Sequence, residues 1–115
     1  PKDIAVTNLD EAFLAEVETI FNKHLPEPNF NAQSFSELIG MSRMQLHRKL
    51  MALTGLSTSQ FIRSQRLKMS INLLQDSDLT VSEVAYQVGF NTVSYFIKCF
   101  KEAYNNTPNT YIAKD

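Results

Sequence analysis

Cysteine, glycine and proline are scarce in this 115-residue chain, and tryptophan is missing altogether. A single cysteine, Cys99, excludes an internal disulfide and fits a reducing compartment. Set between Lys98 and Phe100 in a helical pattern, it reads as a buried small hydrophobe, with no base beside it to make it a nucleophile. Only three glycines among 43% apolar residues exclude a disordered chain and leave enough material for one domain with a real core. No apolar run approaches the roughly 20 residues that span a membrane, and nothing resembles a signal peptide, so a cytoplasmic protein is expected. The chain opens at Pro1 without a methionine, which reads as a piece of something longer. Metal chemistry has no support, because His24 and His47 lie on separate elements and no cysteine pairs with either. No nucleophile, base and orienting group can be assembled, so neither an enzyme nor a cofactor site is expected.

Surplus charge is missing too: the formal net is −1. Its distribution is uneven. Residues 1–40 carry two basic and seven acidic side chains, whereas residues 41–115 carry nine basic and five acidic ones. Neutralising phosphates needs local rather than global positive charge, so a basic part with an acidic flank remains compatible with nucleic acid.

What the chain does have is a repeat. Ser36 and Gly40, then Met41, Ser42 and a helix with Arg48 at its sixth position, return as Ala85 and Gly89, then Phe90, Thr92 and a helix with Lys98 at its sixth position. A short helix, a tight turn and a second helix with a polar face form the helix-turn-helix pattern, which lays its second helix in the DNA major groove. Two copies in one chain imply a monomer that reads two successive major grooves.

Helix starts recur as capping boxes at Asn8-x-x-Glu11, Ser42-x-x-Gln45, Ser57-x-x-Gln60 and Thr80-x-x-Glu83. Three carry a hydrophobic staple: Met41 with Leu46, Leu56 with Phe61, and Leu79 with Val84. Strand-like alternation never persists, so the expected fold is all-α: two helix-turn-helix units joined by a long linker helix, with an extra N-terminal helix. That extra helix, residues 9–24, has a stripe of Phe13, Leu14, Val17, Ile20 and Phe21 and ends before Pro26 and Pro28. Residues 1–28 therefore read as a connector and residues 29–115 as the main domain, with its units at about 32–54 and 80–104. The first short helix should bury Phe35, Leu38 and Ile39, and a last short helix should hold Tyr111 and Ile112. A linker helix over residues 58–75 would span about 27 Å, near the roughly 34 Å between successive major grooves on one DNA face.

With Gly40, Ser42, Leu46, Arg48, Gly55, Arg66, Leu67, Ala85, Gly89, Phe90, Ser94, Phe96, Phe100, Pro108 and Tyr111 in place, residues 30–112 resemble the AraC/XylS family of transcription regulators. Departures are few: Ser36 and Ser70 stand where that family prefers Ala, Lys98 where Arg is usual, and Asn105 where Gly is usual. The run 42–55, together with residues 9–14, further resembles the output domain of hybrid two-component regulators. The resemblance implies upstream receiver and kinase domains in a parent anchored in the inner membrane, with RNA polymerase as a further candidate partner. It also implies that Arg66 is structural, pairing with a carboxylate.

The expected partner is double-stranded DNA. On the first recognition helix Arg43, Met44, His47 and Arg48 form the exposed arc, with Arg48 best suited to fork onto guanine O6 and N7. On the second, Val93, Ser94, Ile97 and Lys98 form the corresponding arc. Val93 and Ile97 face either thymine methyls or the core. Ser42, Thr92 and the helix-start amides are expected at phosphates, with Lys49 and Lys101 beside them. The rival is a helical interaction module that has lost DNA contact, favoured by the near-neutral charge and by Val93 and Ile97. No long heptad seam is present, so the isolated domain should be monomeric.

Overall fold

The computed structural model describes residues 8–112, so the first seven residues of the expected connector lie outside the described residues. It is all-α: α1 Asn8–His24, α2 Ala32–Ile39, α3 Arg43–Thr54, α4 Thr58–Asp76, α5 Val81–Gln87, α6 Val93–Tyr104, and a closing 3-10 turn at Pro108–Tyr111. Among the described residues no helix is long and apolar enough to cross a membrane.

Helices begin where side chains can take over unpaired N–H groups. At α3, Ser42 Oγ accepts from the Gln45 amide at 3.1 Å while Gln45 Oε1 accepts from the Ser42 amide at 3.0 Å. The same reciprocal pair closes at Ser57–Gln60 and at Thr80–Glu83. The bonds from the Thr80 amide and hydroxyl hold the exposed Glu83 carboxyl below its ordinary range. A depressed carboxylate stabilises the fold above its unfolded pKa, and that support fades as pH falls through the folded value. Asn8 is itself the first residue of α1, one step past the cap position the sequence suggests. A fourth closed box, Asn31 with Ser34, escaped the pattern because its third residue is Ser rather than Glu or Gln.

Two cores lie on either side of α4. The first joins Phe13, Val17, Ile20 and Phe21 of α1 to Phe35 of α2, Leu46 and Leu50 of α3, and Phe61 and Ile62 of α4. The second gathers Leu67 and Leu74 of α4 with Val84, Ala85 and Val88, and with Phe96, Cys99 and Phe100 of α6. At 3.6 residues per turn, Phe61 and Ile62 point about 160° away from Leu67, Ser70 and Leu74. The strut therefore buries opposite faces at its two ends, and among the described residues only Met69 packs against both cores. Ser36 and Ser70 sit buried where a small side chain is required, and each hydroxyl donates to its own helix, at Gln33 O (2.8 Å) and Leu67 O (2.6 Å). Asn105 ends α6 at φ 60°, the left-handed conformation expected of a residue replacing glycine.

Three expectations need correcting. Leu38 is 46% exposed, because Phe35 and Ile39 already set the buried face of α2. The last helix is one 3-10 turn from Pro108 that ends at Tyr111, leaving Ile112 beyond it; four residues are too few for α-helical bonding to propagate. Arg66 is structural, but its partners are backbone carbonyls: Nε donates to Leu25 O at 3.0 Å, and Nη2 to Glu27 O at 2.8 Å and Phe30 O at 3.1 Å. The Pro-bearing turn after α1 leaves carbonyls that no helix can satisfy, and a planar fork reaches three at once. Burial lowers the guanidinium pKa from its ordinary value.

Arg66→Ala should strand the Leu25 and Phe30 carbonyls, while Glu27 O keeps its bond from the Phe30 amide, and lower stability by about 3 kcal/mol, or about 10–20 °C in Tm. Arg66→Lys should recover less than half of the loss, since an ammonium lacks the fork. Thermal melts by circular dichroism check both, and a lysine variant as stable as wild type would discredit the multi-carbonyl account.

Candidate nucleic-acid interface

Each second helix of the repeat has one buried side and one open arc. In α3, Leu46 and Leu50 are fully buried, which turns Ser42, Arg43, Met44, His47 and Arg48 outward. At 3.6 residues per turn Arg43, His47, Met44 and Arg48 fall within an arc of about 140°. Met44 is 62% exposed, and Arg48 Nη2 rests on its sulfur at 3.2 Å. The helix carries no acid, and an open groove of about 600 Å³ runs along it past Arg43, Met44, His47, Ser57 and Ser59.

Lys49 does not join that arc. Its Nζ lies 2.7 Å from Asp10 Oδ1 and 5.6 Å from the Phe13 ring centroid, both on α1. Helical geometry explains this, since Lys49 projects about 100° beyond Arg48, over α1 instead of with the arc. The N-terminal helix thus draws a cation away from the reading face.

In α6, Phe96, Cys99 and Phe100 are buried, while Ser94, Lys98 and Lys101 are exposed near the centre of the open arc. Val93 and Ile97 border that arc, half-buried and packed on the second core. The two alternatives for them therefore merge: their inner edges complete the core and their outer edges meet solvent. Thr92 Oγ1 accepts from the Tyr95 amide at 3.1 Å, without the reciprocal bond found at Ser42. At α3 the box occupies the amides of Ser42 and Gln45, so those two donors are not available for an anion.

Two residues in this region went unnoticed in the sequence. Tyr95, 47% exposed, borders the α6 arc on the side opposite Val93, and its hydroxyl accepts from Arg63 Nη1 of α4 at 3.4 Å. The signal available was a large aromatic next to Phe96 but off its face. Arg63 gave none, because α4 reads as a strut. Among the described residues no cluster of three or more His, Cys, Asp or Glu is arranged to hold a metal ion.

A family model described as a helix-turn-helix domain matches residues 35–114. Over 111 residues the chain is 34% identical to histidine kinase P4 of Formosa agariphila, a match covering 96% of this chain and 8% of that protein. In general the chain spans only 8–29% of the length of the curated relatives it matches. Its fold is similar to the C-terminal domain of the two-component response regulator yesN from Fusobacterium nucleatum, with TM-score 0.76, 28% identity, and coverage of 91% of this chain and 98% of that one. It is equally similar to the DNA-binding domain of the transcription factor AdpA, solved with a target DNA: TM-score 0.76, 32% identity, 85% of this chain and 87% of that one.

Proposed function

Because this chain belongs to the AraC-type helix-turn-helix family of DNA-binding domains, we propose that it is the sequence-specific output domain of a hybrid two-component regulator, reading two successive major grooves through α3 and α6. One observation carries this. Two helices, each capped by a hydroxyl side chain and opening a cation-bearing arc, pack on opposite faces of one strut. The strut's 19 residues extend about 28 Å, short of one groove repeat by less than the width of a helix.

In this reading Arg48 forks onto a guanine, while Arg43, Met44 and His47 contact neighbouring base edges and phosphates. Ser94 and Lys98 read the second groove, with the outer edges of Val93 and Ile97 against thymine methyls. Ser42, Thr92 and Lys101 hold phosphates. Lys49 is left to the Asp10 pair. Residues 1–28 lead from receiver and kinase domains of a longer protein anchored in the inner membrane into the DNA-binding part, 29–115, with α1 also packed into its first core. RNA polymerase is a further partner once DNA is bound. The relatives' kinase and response-regulator descriptions support that context.

Selection from a random duplex pool tests the reading, because it should return two half-sites about one helical turn apart. Binding that does not weaken with salt would instead favour the interaction module. On the selected site Arg48→Ala should cost about 1–3 kcal/mol and relax preference at one base position. Lys101→Ala should weaken all sequences alike and reduce the salt slope by about one. Identical sequence-independent losses in both variants would refute the division between base reader and phosphate anchor.

A further inference from the structure

We propose that Arg63 and Tyr95 form a site for the DNA phosphate backbone between the two reading helices; the proposal rests on the DNA-binding reading above. Arg63 lies outside the repeat, and Tyr95 lies in α6 beside the arc that the repeat marks. They sit 32 positions apart in sequence, and the Arg63 Nη1 to Tyr95 hydroxyl contact of 3.4 Å ties the strut α4 to the second reader α6. Both line a groove of about 240 Å³ that also holds Asn31, Ser59, Arg66 and Asn91.

Three features of this groove point to a phosphate. First, no carboxylate lines it, nor the groove beside α3, whereas the hollows behind α1 and below α2 carry Glu18 in one case and Glu27 and Glu37 in the other. Secondly, this groove and the one beside α3 share Ala32 and Ser59, so they adjoin. A strand leaving Arg43 and His47 towards α6 would pass over Arg63 and Tyr95. Thirdly, the donors are suited to an anion. Arg66 turns its Nε and Nη2 to three backbone carbonyls. Arg63 is the other cation in the groove, and a guanidinium matches phosphate geometry. Because the Tyr95 oxygen accepts from Arg63, its own proton remains to be donated to a phosphate oxygen. The phenol ring is steadied 6.0 Å from the Phe90 centroid, so the hydroxyl is held in place before DNA arrives. Both lie off the two arcs, where no base edge would be offered, so the contact should set register without reading sequence.

The test measures affinity for the selected duplex by fluorescence anisotropy across a salt series, with melts to confirm folding. Arg63→Gln should reduce the log–log salt slope by about 0.9 and weaken binding about fivefold at 0.15 M salt, equally on specific and scrambled duplexes. Arg63→Lys should restore the slope, since it restores the charge. Tyr95→Phe should weaken binding by a smaller factor with the slope kept. A second arm needs no variant: single methylphosphonates are placed one by one between the half-sites. One of them should weaken wild-type binding and leave Arg63→Gln nearly unaffected. An unchanged slope in Arg63→Gln, a loss confined to one base position, or no sensitive phosphate between the half-sites would each overturn the site while leaving the DNA-binding reading intact. Absence of salt-dependent binding by the wild type would overturn both.

Discussion

Deleting residues 1–28 should unfold the N-terminal half of the domain. Helix α1 and the residue after its end contribute Phe13, Val17, Ile20, Phe21 and Leu25 to the first core, all less than one-tenth exposed. Burying one such side chain stabilises by about 1.5–3 kcal/mol, so losing five removes a quantity comparable with the 5–15 kcal/mol that holds a whole domain together. The aromatic cluster suffers as well, because the Phe21 ring lies 4.9 Å from Phe35 and 5.5 Å from Phe61. The deletion also takes the Leu25 and Glu27 carbonyls from Arg66 and the Asp10 carboxylate from Lys49. Far-UV circular dichroism should show helix loss well beyond the 17 residues of α1, and amide spectra should lose the dispersion of α2 and α3. DNA affinity should fall with them. A truncated domain that melts cooperatively at the wild-type temperature would show α1 to be a detachable connector. The expected unfolding would mean that any signal passing through α1 moves a piece of the reading unit's own core.

Gly89→Ala should be the most damaging single substitution among the three glycines. Gly89 adopts φ 104°, and a Cβ there would lie 2.7 Å from Arg66 Nε and 2.8 Å from the Leu25 carbonyl oxygen. Strain of about 1–3 kcal/mol for the backbone adds to a clash that cannot be relieved without breaking the Arg66 fork. The expected total is about 4 kcal/mol, in the range reserved for severe core defects. Gly40 is the control: at φ 75° it also needs the left-handed region, but nothing lies within 4 Å of its Cβ position. Gly40→Ala should therefore cost only about 1–2 kcal/mol, the left-handed term alone. Urea melts of the two variants decide the matter, and equal losses would mean that the close approach at Gly89 is irrelevant.

Helix starts were legible because a capping box is a local code: Ser42, Ser57 and Thr80 each find their partner three residues on. Arc and core could be separated in α3 and α6 because each helix packs on one side only. Helix α4 was harder, since its burial changes sides midway and no single stripe survives. The partners of Arg66 were not legible at all. A backbone carbonyl has no side-chain identity, and Leu25, Glu27 and Phe30 announce nothing to a residue some forty positions away. Arg63 and Tyr95 were hidden for the same reason, as a contact between separate elements leaves no periodic trace. Lys49 was within reach: its phase around α3 already set it about 100° outside the arc, where only the identity of Asp10 was needed to explain it.

The two-faced strut also fixes what this protein can change. Helices α3 and α6 each pack on their own core, so in the proposed reading the bases one prefers can drift without disturbing the other. Spacing has no such freedom. One residue gained or lost within α4 advances the second reader by about 1.5 Å but swings it through about 100°, so the angular error outweighs any adjustment in length. If α3 and α6 read two half-sites as proposed, the gap between them is stored as a rotational phase, and such a domain would explore new operators by rewriting their letters while keeping the interval between them.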